Sequence, residues 1–143
     1  MKQGYEDALM DLQSDYISLC LEYAEGQAEE VFAYLYRTDT MRMFNAFFRS
    51  GGKILAASQM PTTCNDEEFM QVGRDDISRL EEICHEYEAA PPNEIRMHYD
   101  VKTGQYDADV SYEDYSIKDK ITPMQVFMKW LKEEKQKCTS SHV

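Results

Sequence analysis

The stretch from Glu94 to Tyr112, EIRMHYDVKTGQYDADVSY, alternates apolar and polar residues on both sides of a Lys102-Thr103-Gly104 turn. Ile95, Met97, Tyr99 and Val101 fall on one face, and Arg96, His98 and Asp100 on the other. After the turn, Tyr106, Ala108, Val110 and Tyr112 alternate with Gln105, Asp107, Asp109 and Ser111. A period of two around a glycine predicts a β-hairpin with one packed and one wet face. If Lys102 opposes Gln105, Val101 faces Tyr106, Tyr99 faces Ala108, Met97 faces Val110 and Ile95 faces Tyr112. The eight apolar side chains then share a face, which fixes the register, because a slip of one residue would expose a whole strand's set.

That register places Asp100 opposite Asp107 and His98 opposite Asp109 on the wet face. Like charges in direct cross-strand opposition cost on the order of 0.2–1 kcal/mol. Two readings are open: solvent screens an exposed face, or the carboxylates await positive charge from a partner.

The surrounding chain predicts an α+β domain. Tyr5 to Ala24 carries Tyr5, Leu9, Leu12, Tyr16, Leu19, Cys20 and Tyr23 at helical spacing, with Gly26 as a stop. Glu30 to Arg37 is apolar on both faces, the pattern of a central strand covered from two sides. Met41 to Arg49 and Lys53 to Ala57 follow as strands across short links, and Ser50-Gly51-Gly52 reads as a hairpin turn because no GK[ST] follows it. The aromatic residues between Phe32 and Phe48 read first as core, and second as an exposed interface platform.

Asn65 and Glu68 open a long helix with Phe69, Val72, Ile77, Leu80, Ile83, Cys84 and Tyr87 as its stripe; Gly73 marks a break or a close approach. Pro91-Pro92 stops that helix. Thr122-Pro123-Met124-Gln125 starts a last helix that buries Val126, Phe127, Trp130 and Leu131. The expected order is α-β-β-β-α-β-β-α: an antiparallel sheet of about five strands with three helices, a single domain over residues 1–143 with a frayed tail at 139–143.

Acidic residues outnumber basic ones 27 to 15, for a formal net charge of -12. That field repels nucleic acid and anionic membrane and steers a basic partner inward. The N-terminal MKQGYEDALMDLQ lacks the apolar run of a signal peptide, and no segment has the length of a membrane span. Cys20, Cys64, Cys84 and Cys138 are scattered, without CxxC or a histidine at ligand spacing. The expectation is a cytoplasmic protein with reduced thiols, Cys20 and Cys84 buried.

His98 with Asp109 is the one His–carboxylate pair that the pattern brings together, and no recognisable motif sets a nucleophile beside it. Asp100, Asp107, Asp109, Glu113 and Asp114 lack the spacing of an EF-hand and are spread along strands rather than wrapped round an ion. The reading is therefore no enzyme, no cofactor and no metal site. Recognition by charge remains: four acids and three tyrosines lie between Tyr106 and Tyr115 with no base among them. Tyrosine presents a large contact area at low entropy cost, and surrounding acids select a cationic partner.

The strand EEVFAYLYRTD, the Phe-rich MFNAFF, the helix ISRLEEICHEYE and the hairpin ending VSYEDY together resemble the YezG-like immunity proteins of bacterial toxin systems. The resemblance follows element order from about Asp15 to Tyr115. It implies a non-enzymatic antidote that binds a basic toxin domain, a nuclease in many cases, in a one-to-one complex. The expected partner-binding residues are Asp100, Asp107, Asp109, Tyr112, Glu113, Asp114 and Tyr115. The alternatives are an acidic adaptor acting on a basic host protein and a small hydrolase using His98.

Overall fold

The structure is a computed structural model and describes residues 4–114 and 121–140. Its elements, in chain order, are α1 (Tyr5–Ala24), β1 (Glu30–Arg37), β2 (Arg42–Ser50), β3 (Lys53–Ala56), a 3-10 turn (Ala57–Gln59), α2 (Asp66–Asp75), α3 (Ile77–Glu86), β4 (Glu94–Asp100), β5 (Tyr106–Ser111) and α4 (Pro123–Ser140). The strands form one antiparallel sheet in the order β3-β2-β1-β4-β5. The expected α+β class and element order hold, with the long second helix divided into α2 and α3.

β1 is the middle strand, and its two apolar faces explain the layering. Val31, Ala33 and Leu35 belong to one core with Leu12, Tyr16, Cys20, Phe44, Phe48, Phe69 and Leu80, beneath α1, α2 and α3. Phe32, Tyr34 and Tyr36 belong to a second core with Phe47, Ile54, Phe127 and Leu131, beneath α4. All six aromatic residues of β1 and β2 named here are buried, so they are core and not a platform. Burying a large apolar side chain contributes roughly 1.5–3 kcal/mol, an upper value because unfolded chains already bury some surface. Cys20 and Cys84 are buried free thiols, Cys64 is exposed and Cys138 half-buried; burial pushes the Cys20 thiol upward from its ordinary pKa.

Local chemistry sets the ends. Asn65 Oδ1 accepts the Glu68 amide at 3.0 Å, capping α2. At the start of α4, Thr122 Oγ1 accepts from Gln125 N at 3.1 Å and Gln125 Oε1 accepts from Thr122 N at 2.9 Å, a complete capping box. Gly73 is a close approach and not the break: a Cβ there would lie 2.1 Å from Phe44 Cδ2. The break falls at Asp76, the last residue of one turn and the cap of the next. α4 runs to Ser140, and residues 141–143 lie outside the described residues. No helix among the described residues is long and apolar enough to cross a membrane.

Candidate functional site: the outer hairpin

β4 and β5 form the expected hairpin, but its register differs by two residues from the expected one. Tyr99 opposes Tyr106, Met97 opposes Ala108, Ile95 opposes Val110, His98 opposes Asp107 and Arg96 opposes Asp109. The cause lies in the turn. Asp100 Oδ1 accepts the amides of Lys102 at 3.0 Å and Thr103 at 3.1 Å, while Gly104 N donates to Asp100 O at 2.8 Å and Asp100 N to Gln105 O at 2.9 Å. An aspartate that folds back on the amides after it makes a wider loop than two residues, and Gly104 takes the positive φ (76°) the loop closes through. These backbone hydrogen bonds hold the Asp100 carboxyl below its ordinary pKa.

Three expectations change with the register. Asp100 does not oppose Asp107; its carboxylate shapes the turn. His98 is not paired with Asp109. The wet face does not set like charges against each other, since Asp107 and Asp109 each stand across from a basic residue. A shift of two leaves every side chain on its expected face, so the division into apolar and polar faces survives.

The polar face of β4 is partly covered by α4. His98 lies flat on Phe32 (ring centroids 4.6 Å apart, planes 13°), its Nε2 is 2.8 Å from Glu30 Oε1, and its Nδ1 is 4.0 Å from Asp107 Oδ2. Glu30 also meets the Arg49 guanidinium at 3.4 Å. Arg96 lies over the Trp130 ring and donates from Nε to Glu94 Oε1 at 3.1 Å. Glu94 is buried, and its other oxygen accepts the Tyr34 hydroxyl at 2.7 Å. Both ring nitrogens of His98 thus face carboxylates. Cys138 lines the same cleft of about 150 Å³, and its thiol donates to the Gly52 carbonyl at 2.8 Å. Among the described residues no group of three or more histidine, cysteine or acidic side chains is placed to hold a metal ion.

β5 is different, because it is the outermost strand and few of the described residues cover it. Asp107, Ala108, Asp109 and Val110 are all exposed, and the Asp107 side chain keeps 66% of its accessible surface. Helix α1 covers the apolar face of β4, meets Tyr112 through Tyr5 beyond the end of β5, and meets β5 itself at Tyr106, whose hydroxyl donates to the buried Gln13. That burial pushes the Tyr106 phenol upward from its ordinary pKa. Val101, Val110 and Tyr112, expected in the packed face, are exposed, at 40%, 44% and 58%.

The chain then leaves the sheet with Tyr112 and Glu113 exposed, while Asp114 turns back and accepts the Tyr36 hydroxyl at 2.9 Å. Of the residues expected to bind a partner, Asp107, Asp109, Tyr112 and Glu113 are exposed on and just past β5, Asp107 and Asp109 on its polar face and Tyr112 beyond the end of the other face; Asp100 and Asp114 have structural contacts, and Tyr115 lies outside the described residues. The roles of Glu30 and Glu94 escaped sequence reasoning. Both lie at strand starts and look like ordinary polar boundary residues, and only the sheet order brings Glu30 to His98 and Glu94 to Tyr34.

No protein-family model matches the chain, and no curated protein matches it.

Proposed function

We propose that this protein is an immunity protein that binds a basic toxin domain, a nuclease, in a one-to-one complex and blocks it by covering its active or substrate-binding surface. The observation that carries the reading is the exposure of Asp107 and Asp109 on the polar face of the outermost strand, with Tyr112 and Glu113 exposed just past its end, on a chain with a net charge of -12. A nuclease surface that holds a phosphate backbone is lined by cations, and exposed carboxylates with a tyrosine at the end of their strand are complementary to it. The acids set the approach rate and selectivity, while Tyr112 supplies contact area. The likeness of the element order and of the VSYEDY ending to YezG-like immunity proteins supports the same reading. An antidote of this kind needs no catalytic group and acts by occupancy.

The test is co-expression with the basic product of a neighbouring reading frame, followed by co-purification and growth rescue. The expected result is a one-to-one complex, rescue of growth, and an association rate that falls about tenfold or more as salt rises toward physiological strength. A complex whose formation ignores both salt and the double charge reversal Asp107→Lys/Asp109→Lys would remove this strip as the binding site.

A further inference from the structure

The outer edge of β5 carries more than charge. Peptide groups alternate in direction along an antiparallel strand. Because Asp100 N donates to Gln105 O, residues 105, 107, 109 and 111 turn toward β4. The peptide groups of Tyr106, Ala108 and Val110 therefore point away from the sheet, and no described strand pairs with them. The opposite edge is treated differently: β3 has four residues, and its Ile54 packs with Phe127 and Leu131 of α4. Natural sheets blunt an exposed edge by keeping it short, charged or covered; β5 carries exposed Asp107 and Asp109 on one face, but it has six residues and shows Ala108 and Val110 on the other, with Tyr112 just beyond it. On that same side, a groove of about 280 Å³ opens between α1 and the hairpin, lined by Met10, Ile17, Leu21, Tyr99 and Tyr106.

The charges decide what can pair there. A second copy joined antiparallel about Ala108 would set Asp107 of each chain against Asp109 of the other. Joined about Asp109, it would set that residue against itself. Like charges so placed oppose pairing, and the chain's net charge of -12 adds to the repulsion. A strand with Lys or Arg at alternate positions and apolar residues between them meets both faces of β5.

We infer that the free edge of β5 is a strand-addition site, taking one extended segment of a basic protein in which cationic and apolar residues alternate. The cations stand across from Asp107 and Asp109, the apolar residues across from Ala108 and Val110, and the outward peptide groups of Tyr106, Ala108 and Val110 close the ladder. This rests on the reading of the protein as a binder of a basic partner and specifies how that partner is held.

The experiment uses the full chain, labelled with 15N, and two capped heptapeptides of equal composition: Lys-Val-Lys-Val-Lys-Val-Lys, and a block peptide with four lysines followed by three valines. Amide exchange is followed at Tyr106, Ala108 and Val110. The alternating peptide is expected to slow exchange at these three amides about tenfold or more, and the block peptide is not. Ala108→Pro removes an outward donor without touching the hydrogen bonds to β4, and it is expected to weaken the alternating peptide about tenfold or more. If that variant does not fold, the exchange data on the unaltered chain decide alone.

Equal binding of both peptides without protection overturns strand addition and leaves charge recognition standing, as does absence of binding at about 1 mM peptide. Protection that appears without peptide as protein concentration rises makes a second copy the occupant and also overturns it. Protection by the alternating peptide, in a protein that captures and neutralises no basic product, upholds the edge and defeats the immunity reading.

Discussion

Gly73→Ala tests the packing that holds the helical layer on the sheet. A Cβ at position 73 would sit 2.1, 2.3 and 2.6 Å from Cδ2, Cγ and Cε2 of Phe44, where ordinary contact begins near 3.4 Å. Relief requires a displacement of more than 1 Å. Phe44 has little room to give it: its ring is stacked on Tyr16 (5.3 Å, 29°) and meets Phe69 edge-on (5.3 Å, 76°). The helix is also tied down at this residue, because the Tyr16 hydroxyl donates to Gly73 O at 2.7 Å. In an open helix, alanine would be favoured over glycine by about 1 kcal/mol. Overpacking costs typically about 1–3 kcal/mol and occasionally more, and a clash with a confined ring belongs at the upper end. The expected net result is a destabilisation of about 1–2 kcal/mol, or roughly 2–4 °C in Tm for each kcal/mol in a chain of this size. Urea unfolding of wild type, Gly73→Ala, Phe44→Leu and the double variant measures it. Phe44→Leu should cost less in the alanine background than in wild type, with a coupling of about 0.5 kcal/mol or more. Wild-type or greater stability in Gly73→Ala, or strict additivity of the two changes, would refute the reasoning.

Tyr34→Phe leaves one oxygen of buried Glu94 without its 2.7 Å donor, and a lost hydrogen bond to a charged group predicts about 1.5–3 kcal/mol lower stability in urea. Asp100 titrates lower folded than unfolded, so its support of the turn is complete above the unfolded value, near 3.9, and is lost as pH falls through the folded value. NMR should accordingly show the Lys102 and Thr103 amides shifting together, with a midpoint below 3.8, and Asp100→Ala should remove that titration. An aromatic disulfide reagent should label Cys64 rapidly in the native protein and reach Cys20 and Cys84 only on unfolding, since the last two are buried and Cys20 resists ionisation.

The elements of this fold were legible wherever a single periodicity decided them. The two-faced β1 announced a central strand with helices on both sides, and Thr122 with Gln125 announced the start of α4. Two kinds of feature were not legible: side-chain hydrogen bonds inside a turn, and contacts between residues far apart in sequence. The hairpin register depends on Asp100 accepting two amides of its own turn, and a pattern of period two cannot see a shift of two. The reach of α1 across the sheet, which leaves Val110 and more than half of Tyr112 exposed, depends on where a separate element ends. His98 faces Asp107 instead of Asp109 because of the hairpin register, and it meets Glu30 because β1, distant in sequence, lies beside β4. For the candidate site, the polar alternation of β5 was readable, whereas its place at the sheet's edge was not.

The most direct test measures association between this chain and the basic product of a neighbouring reading frame, as a function of salt, for wild type and for Asp107→Lys/Asp109→Lys. The account predicts a one-to-one complex whose association rate falls steeply with salt in wild type, and a double variant that binds at least about tenfold more slowly with a flattened salt dependence. Wild-type rates and salt dependence in a folded double variant would contradict it.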